Sequence, residues 1–169
     1  MSGMNETTEN TGRDKLQGET KYLSDSEFQK LVKIGPLVSI DFLVKNPKEE
    51  YLLGKRKFEP AKDFWFVPGG RIRKGEGISD AFQRIGKTEL GISLNLSDAN
   101  FIGVFEHFYD TSSFSEKTET HYIVLAYSID IGIAIDSLPM DQHAEFSWFT
   151  KVNFEMGANI HQYSKDYVL

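Results

Sequence analysis

The stretch FVPGGRIRKGEGISDAFQRIGKTELGI, residues 66–92, decides the fold because it joins a glycine pair and a basic turn to a helix. The helix is predicted between Gly77 and Gly91, where apolar residues recur at the i, i+3, i+4 and i+7 spacing of one helical face. These apolar residues are Ile78, Ala81, Phe82 and Ile85. The next position on the same face is Glu89, so the helix turns a carboxylate toward the protein interior.

The inward carboxylate of Glu89 needs a compensating charge, because burying it alone costs on the order of several kcal/mol. A salt bridge with Arg84 or Lys87 on the same helix would supply one. A bound metal ion would supply another. The residues of the helix leave both alternatives open.

The composition of the chain excludes several classes of protein. With 169 residues, of which 40% are hydrophobic and 26% charged, the chain is expected to form one soluble domain over residues 21–169. Residues 1–20 are a polar leader, expected to be disordered. No apolar run reaches the roughly 18 residues that span a bilayer, so no membrane partner is expected. The absence of cysteine and of a secretory pattern favours the cytoplasm. A formal net charge of −6 argues against nucleic acid as a partner.

Patterns along the rest of the chain predict strands interleaved with a few helices. A first helix is expected between the N-cap candidate Ser24 and the pair Gly35-Pro36. A hairpin should follow around the turn at residues 46–49, and a short helix should end the chain. Three more strands are predicted over residues 101–110, 120–131 and 144–150. The predicted fold class is therefore α/β (α+β), with a mixed sheet.

The helix and its flanking residues resemble the Nudix box, whose family form is G-x5-E-x7-R-E-U-x-E-E-x-G-U, where U is a bulky aliphatic residue. The matching positions are Gly70, Glu76, Arg84, Glu89, Gly91 and Ile92. Two family glutamates are absent, because Ile85 and Thr88 stand in their places. Of the carboxylates that usually hold magnesium, Glu89 alone remains.

The same omissions occur in one Nudix branch, the GDP-mannose mannosyl hydrolases, and the resemblance to that branch extends from about residue 28 to residue 167. It rests on stretches in the same order, among them PLVSIDFLV, YLLGKRK, FWFVPGGR, GVFEHFYD, THYIVL and DQHAEFSWFT. The resemblance implies a Nudix fold, a mixed sheet between helices. It also implies magnesium as cofactor, with manganese as an alternative, and a homodimer. The reaction it implies is attack of water on the anomeric carbon of GDP-mannose or GDP-glucose, which releases GDP and the free sugar with inversion.

The resemblance also assigns residues to the chemistry. His143 matches the base, and an imidazole suits proton abstraction near neutral pH. Glu89, the carbonyl of Gly69 and the amide of Gln142 match the metal ligands, all oxygen donors suited to magnesium. Arg56 matches the residue that pairs with the diphosphate, since a guanidinium fork fits phosphate oxygens.

The remaining candidates are substrate contacts. By resemblance, residues on the strands point to the sugar and phosphates: Asp41, His107, Tyr109 and Tyr122. Asp41 also stands out without the resemblance, because aspartate is depleted in strands. Arg71 is a second diphosphate candidate. Arg84 either binds substrate or orients carboxylates, and Glu76 is expected to brace the start of the helix through Arg84.

Two other functions fit the same residues. An ordinary Nudix pyrophosphatase would cleave the P–O–P bond and give GMP and sugar 1-phosphate. A non-catalytic module would bind a nucleotide sugar without turnover. The missing glutamates argue against the first, and the joint presence of His143, Gln142, Glu89 and Arg56 argues against the second.

Overall fold

The computed structural model describes residues 23–157 and 159–169. The predicted leader, residues 1–20, lies outside them. The helices and strands, in chain order, are α1 (Asp25–Ile34), β1 (Leu37–Lys45), β2 (Tyr51–Arg56), β3 (Trp65–Phe66), β4 (Gly69–Arg71), α2 (Ile78–Leu90), β5 (Asn100–Tyr109), β6 (Thr120–Asp130), β7 (His143–Phe149), α3 (Lys151–Met156) and α4 (Gln162–Lys165). Short 3-10 helices cover Leu96–Asp98 and Ile135–Ser137.

The sheet is mixed, as predicted. Its strand order is β3-β2-β1-β6-β5, with β4 paired to β1 and β7 paired to β2. The β1–β6 pair is parallel, whereas the other pairs are antiparallel. One core cluster joins β1 to the apolar face of α2, and a second joins the opposite face of the sheet to Phe154 of α3 and to Tyr167 near the chain end. The sheet therefore lies between helices, and the predicted fold class is confirmed.

The predicted hairpin of β1 and β2 forms only at its turn. The side-chain oxygen of Asn46 accepts hydrogen bonds from the backbone N–H groups of Lys48 and Glu50, which fixes the turn. Beyond the turn, β1 and β2 pair at a single position, Lys45 with Tyr51. β1 pairs instead with β6 along its length and with β4 at residues 39–41. The two strands separate because β4 pairs with the first half of β1.

The helix α2 forms where its spacing predicts, after Gly77 and before Gly91, which adopts a φ of 72° that favours glycine. Gly86 inside this helix has a packing reason. A Cβ at residue 86 would lie 2.9 Å from the side chain of Leu94 and 3.1 Å from the carbonyl oxygen of Ile92. The close approach of the following loop therefore requires glycine there.

The last residues of the chain pack along β3. The backbone N–H of Trp65 donates to the carbonyl of Asn159 (2.9 Å), and that of His161 donates to the carbonyl of Trp65 (3.0 Å). The hydroxyl of Ser164, which is fully buried, accepts from the N–H of Val67 at 3.1 Å. These bonds fix the position of α4 and of Tyr167, which follows it.

Candidate functional site

A cavity of about 440 Å³ opens where β1, β4, α2 and the ends of β5 and β6 meet. It brings together most of the residues that the sequence assigns to a site. Those that line it are Asp41, Arg56, Gly69, Arg71, Glu89, His107, Tyr109, Tyr122 and Gln142. The two predicted site residues outside the lining are Arg84 and His143.

Arg84 is held at the start of α2 by a bidentate ion pair. Its Nε donates to Glu76 Oε1 at 2.6 Å and its Nη2 donates to Glu76 Oε2 at 2.8 Å. A further bond from Nη2 reaches the carbonyl of Arg71 at 2.7 Å. Burial raises the pKa of Glu76, but the hydrogen bonds from Arg84 and from the Arg73 backbone outweigh burial and hold it below its usual range. Glu76 therefore braces the helix start, as predicted, and Arg84 does not pair with Glu89.

Glu89 instead meets His143. The His143 Nε2 lies 3.3 Å from Glu89 Oε2, and both residues are buried, with 2% and 8% of their surface exposed. His143 is brought there by β7, where it pairs with Arg56 across a bulge in β2. Its ring packs on Gly54, and a Cβ at residue 54 would overlap it. Within the described part of the chain, the ring's Nδ1 has no hydrogen-bond partner.

Asp41 is the second carboxylate in the cavity. It is 7% exposed, and the hydroxyl of Tyr167 donates to its Oδ2 at 2.7 Å. Burial raises the pKa of Asp41 to about 7, against the opposing effects of the Tyr167 hydrogen bond and of the charge on Arg56. The neighbouring charge of Glu89 raises it further. The cavity thus holds two carboxyl groups that repel each other when both are ionised.

Two arginines supply positive charge to the same cavity. The Arg56 Nε donates to the carbonyl of Pro60 at 2.7 Å, which fixes its guanidinium. The guanidinium of Arg71 lies over the ring of Phe28, 3.7 Å from its centroid. Both arrangements restrict side chains that otherwise carry much rotamer entropy. The cavity therefore holds two guanidinium groups in restricted orientations, which suits hydrogen bonding to an anion.

The aromatic wall of the cavity comes from β5 and β6. His107 is 3% exposed and its ring stacks on Tyr163 with centroids 4.0 Å apart. Burial, aided by the nearby His161, lowers the pKa of His107 to about 3, so its imidazole is neutral near neutral pH. Tyr109 and Tyr122 are half-buried beside it, with ring centroids 6.1 Å apart.

Several residues of the cavity were missed by the sequence analysis. Phe28 and the more exposed Phe58 line it, as does Glu59, which accepts a hydrogen bond from Thr111 at 2.9 Å. Tyr167 reaches it through Asp41. Phe28 lies in the first helix, and no spacing in the sequence shows that Arg71 lies on its ring. Nothing in the local sequence around Tyr167 marks it as a site residue.

The oxygen donors of the cavity fit a hard divalent cation. Glu89 offers a carboxylate, Gly69 a backbone carbonyl and Gln142 an amide, the donor types that magnesium accepts. The backbone carbonyl of Gln142 also accepts from the N–H of Lys57 at 3.1 Å, which fixes that residue beside the cavity. No group of three or more histidine, cysteine or acidic residues able to hold a metal ion occurs in residues 23–157 and 159–169. The donor set therefore carries little negative charge.

Comparison with known proteins identifies the family through a domain profile and adds similar proteins and folds. The NUDIX domain profile matches residues 35–165. The low-salt glycan biosynthesis protein Agl8 of Haloferax volcanii is 36% identical over 138 residues, which cover 81% of this chain and 85% of that protein. The MutT protein of Methanosarcina mazei Go1 superposes with a TM-score of 0.62 at 20% identity, covering 78% of this chain and 90% of that one.

A second solved structure is the NUDIX domain of Shewanella oneidensis NrtR, determined in complex with ADP ribose. It superposes with a TM-score of 0.57 at 11% identity and covers 86% of this chain and 96% of that one. At these identities the two structures support the fold alone. Within the described residues, no helix is long and apolar enough to cross a membrane.

Proposed function

Because the chain belongs to the Nudix family, a family of hydrolases that act on nucleotide derivatives, we propose that it hydrolyses GDP-mannose to GDP and free mannose. In this reaction water attacks the anomeric carbon with inversion, and GDP-glucose is an alternative substrate. Nudix hydrolases generally use divalent metal ions, and we propose magnesium here, with manganese as an alternative. The relative from Haloferax volcanii, whose name refers to glycan biosynthesis, supports a sugar-linked substrate.

The observation that carries the proposal is the small number of carboxylates on α2. Ile85 is 1% exposed and belongs to the core cluster, and Thr88 is exposed and bonds the carbonyl of Arg84 at 2.9 Å. Glu89 is thus the one acidic residue of the second half of α2 that lines the cavity. Attack on phosphorus in this superfamily relies on a carboxylate-rich helix. A site with a single helical carboxylate favours attack on carbon, where GDP already leaves readily.

The diphosphate would lie against the cationic side of the cavity. Arg56 and Arg71 both line the cavity and both are held by neighbouring groups. Guanidinium groups fixed in advance stabilise the negative charge that develops on the departing GDP. We propose that Asp41, His107, Tyr109 and Tyr122 contact the sugar and its adjoining phosphate.

Glu89, the Gly69 carbonyl and Gln142 would hold the metal ion, which supplies charge neutralisation for the leaving diphosphate when bound. The protein's own donors carry one formal negative charge, because the other two are neutral. We therefore expect the ion and the substrate to bind cooperatively. Isothermal titration of magnesium with and without GDP would measure this coupling as a difference in Kd.

His143 is the proposed base, and this role requires its hydrogen bond with Glu89 to open. The Nε2 atom of His143 is close to Glu89, and its Nδ1 atom is close to Gly54. His143 does not line the cavity, so neither nitrogen is available to a water molecule there. We propose that substrate binding separates the pair and turns the imidazole toward water. Replacement His143→Gln should then lower kcat by about a hundredfold or more with little change in KM. A variant that keeps its kcat would show that His143 only supports Glu89.

Hydrolysis in oxygen-18 water separates the three candidate functions. The protein is incubated with GDP-mannose and magnesium, and the products are analysed by mass spectrometry. Label in the free sugar is the expected result. Label in a phosphate product would identify a pyrophosphatase, and binding without turnover would identify a nucleotide-sugar binding module. The homodimer that the resemblance implies and the cytoplasmic location that the composition favours are also proposals, and sedimentation analysis tests the first.

A further inference from the structure

We propose that Tyr167 is a positioning residue of the cavity, whose hydroxyl fixes the direction of the hydrogen bonds made by Asp41 and His107. The hydroxyl donates to Asp41 Oδ2 at 2.7 Å and lies 3.1 Å from His107 Nε2. Both partners line the cavity, whereas Tyr167 itself does not. A kinetic test of this role rests on the proposed function, whereas a test by the tautomer of His107 does not.

Tyr167 is held firmly enough for this role. It is 7% exposed, and its ring packs edge-on against Phe105 with centroids 4.8 Å apart. The segment that carries it is fixed to β3 through backbone bonds of Trp65 and through the buried Ser164 hydroxyl. A tyrosine constrained at its ring and at its backbone cannot turn its hydroxyl to solvent. The hydroxyl is therefore a permanent partner of the two cavity residues.

The hydrogens available to Asp41, Tyr167 and His107 determine which group donates in each of the two hydrogen bonds. An ionised carboxylate only accepts hydrogen bonds, and a phenol has a single hydrogen to donate. With that hydrogen on Asp41, the hydroxyl oxygen can only accept from His107. Because the imidazole is neutral, its one N–H must then be on Nε2, and Nδ1 is left as an acceptor. The hydroxyl of Tyr109 lies 3.5 Å from that Nδ1.

While Asp41 is ionised, the consequence for the site is a fixed pattern of donors and acceptors. Tyr167 occupies Oδ2 of Asp41, and Oδ1 lies beside Gly69, which also lines the cavity. His107 is held in one tautomer, so the acceptor side of its ring faces Tyr109. Groups held in one orientation need no rearrangement at the moment of reaction. Without the hydroxyl of Tyr167, both would sample other orientations.

The test replaces Tyr167 by phenylalanine, which removes one oxygen and keeps the packed ring. With GDP-mannose and magnesium at about pH 9, where Asp41 is ionised, Tyr167→Phe should lower kcat by about tenfold to a hundredfold, as expected for a hydrogen bond to a charged group. KM should change by less than about threefold, because the arginines that bind the diphosphate are untouched. Tyr51→Phe is the matched control: it changes a half-buried tyrosine packed on Phe154 and should leave both constants unchanged.

The spectroscopic test reads the tautomer of His107 by long-range ¹H–¹⁵N correlation. In the wild-type protein at about pH 9, where Asp41 is ionised, the ring should show the Nε2–H form alone. In Tyr167→Phe the ring should show a mixture of tautomers, and in Tyr51→Phe it should not change. An Nδ1–H ring in the wild type would overturn the inference without any variant. So would a Tyr167→Phe protein with an unchanged tautomer and an unchanged kcat.

Failure of the proposed function gives a different result. If the wild-type protein does not hydrolyse GDP-mannose, the kinetic test has no signal, and the tautomers of the wild type and of Tyr167→Phe decide the inference alone. Circular dichroism of each variant checks that it is folded. A Tyr167→Phe protein that loses stability but keeps the single tautomer would show that Tyr167 is structural only.

Discussion

The buried imidazole of His107 should make a contribution to stability that is lost in mild acid. The pKa of His107 is lowered from 6.5 to about 3 by burial and by His161. The unfolded chain therefore binds a proton at a higher pH than the folded one does. The stability linked to this group is fully present above about pH 6.5 and falls as the pH decreases toward about 3.

The size of this effect follows from the two pKa values. One unit of pKa corresponds to about 1.4 kcal/mol, so between about pH 7 and about pH 5 the contribution of His107 to the free energy of unfolding should fall by about 2 kcal/mol. Asp41, whose pKa is raised to about 7, contributes in the opposite direction over the same range, so the effect of His107 is read from the difference between two proteins that both contain Asp41. Other groups packed around the ring are Tyr109, Tyr163, Tyr167 and His161. They remain in a His107 variant, so a comparison with His107→Gln isolates the contribution of His107.

The assay is urea unfolding of the wild type and of His107→Gln at several pH values in this range. At about pH 7 the variant should be the less stable protein, since it loses the stacking of the ring on Tyr163. As the pH falls to about 5, the wild type should lose about 2 kcal/mol more than the variant, a relative shift in urea midpoint of about 1 M. A difference between the two proteins that stays constant with pH would refute the reasoning. It would mean that the ring is protonated in the folded state or open to water.

Three further perturbations follow from packing. Gly54→Ala places a methyl group in the space of the His143 ring, so we expect the ring to move away from Glu89 and kcat/KM to fall. Gly132→Ala, where a methyl group has room, is the control for activity. Gly86→Ala should destabilise the protein by about 1–3 kcal/mol in urea unfolding, although alanine is the better helix former, because its methyl group meets Leu94 at 2.9 Å. Glu76→Gln should lower the free energy of unfolding by about 1–3 kcal/mol, also measured by urea unfolding, because it replaces a charged partner of Arg84 by a neutral one.

Local patterns in the sequence predict the local parts of the fold. The apolar spacing of α2 and the N-cap of α1 depend on residues a few positions apart, and both appear where predicted. Ser24 and Glu27 form the reciprocal bonds of a capping box. The pairing of β1 could not be predicted in this way. The turn at residues 46–49 suggests a hairpin, but nothing local shows that β4 and β6 flank β1 instead.

Candidate site residues could be named from the sequence, whereas their contacts could not. The cavity gathers residues that the sequence had assigned together, yet the partners of its charged groups differ. The sequence offers Arg84 or Lys87 on the same helix as salt-bridge partners of Glu89. Arg84 instead bonds Glu76, eight residues earlier, and Glu89 meets His143 on β7. Tyr167 is 126 residues from Asp41 in the chain. Two residues so far apart in the chain share no periodic pattern in the sequence from which their contact could be predicted.

Ile85, which stands in the place of a family glutamate, also has a packing role, so the same residue affects both the chemistry and the fold. Ile85 is buried in the core, and a Cβ at Gly70 would lie 3.2 Å from its Cγ1. The glycine pair that lines the cavity therefore rests directly on this side chain. A glutamate at residue 85 would have to bury its charge against the same backbone, at a cost on the order of several kcal/mol unless ions paired with it. An apolar residue at position 85 stabilises the backbone at the glycine pair. It also leaves α2 with fewer carboxylates, which limits the positive charge of the metal ions that α2 can bind.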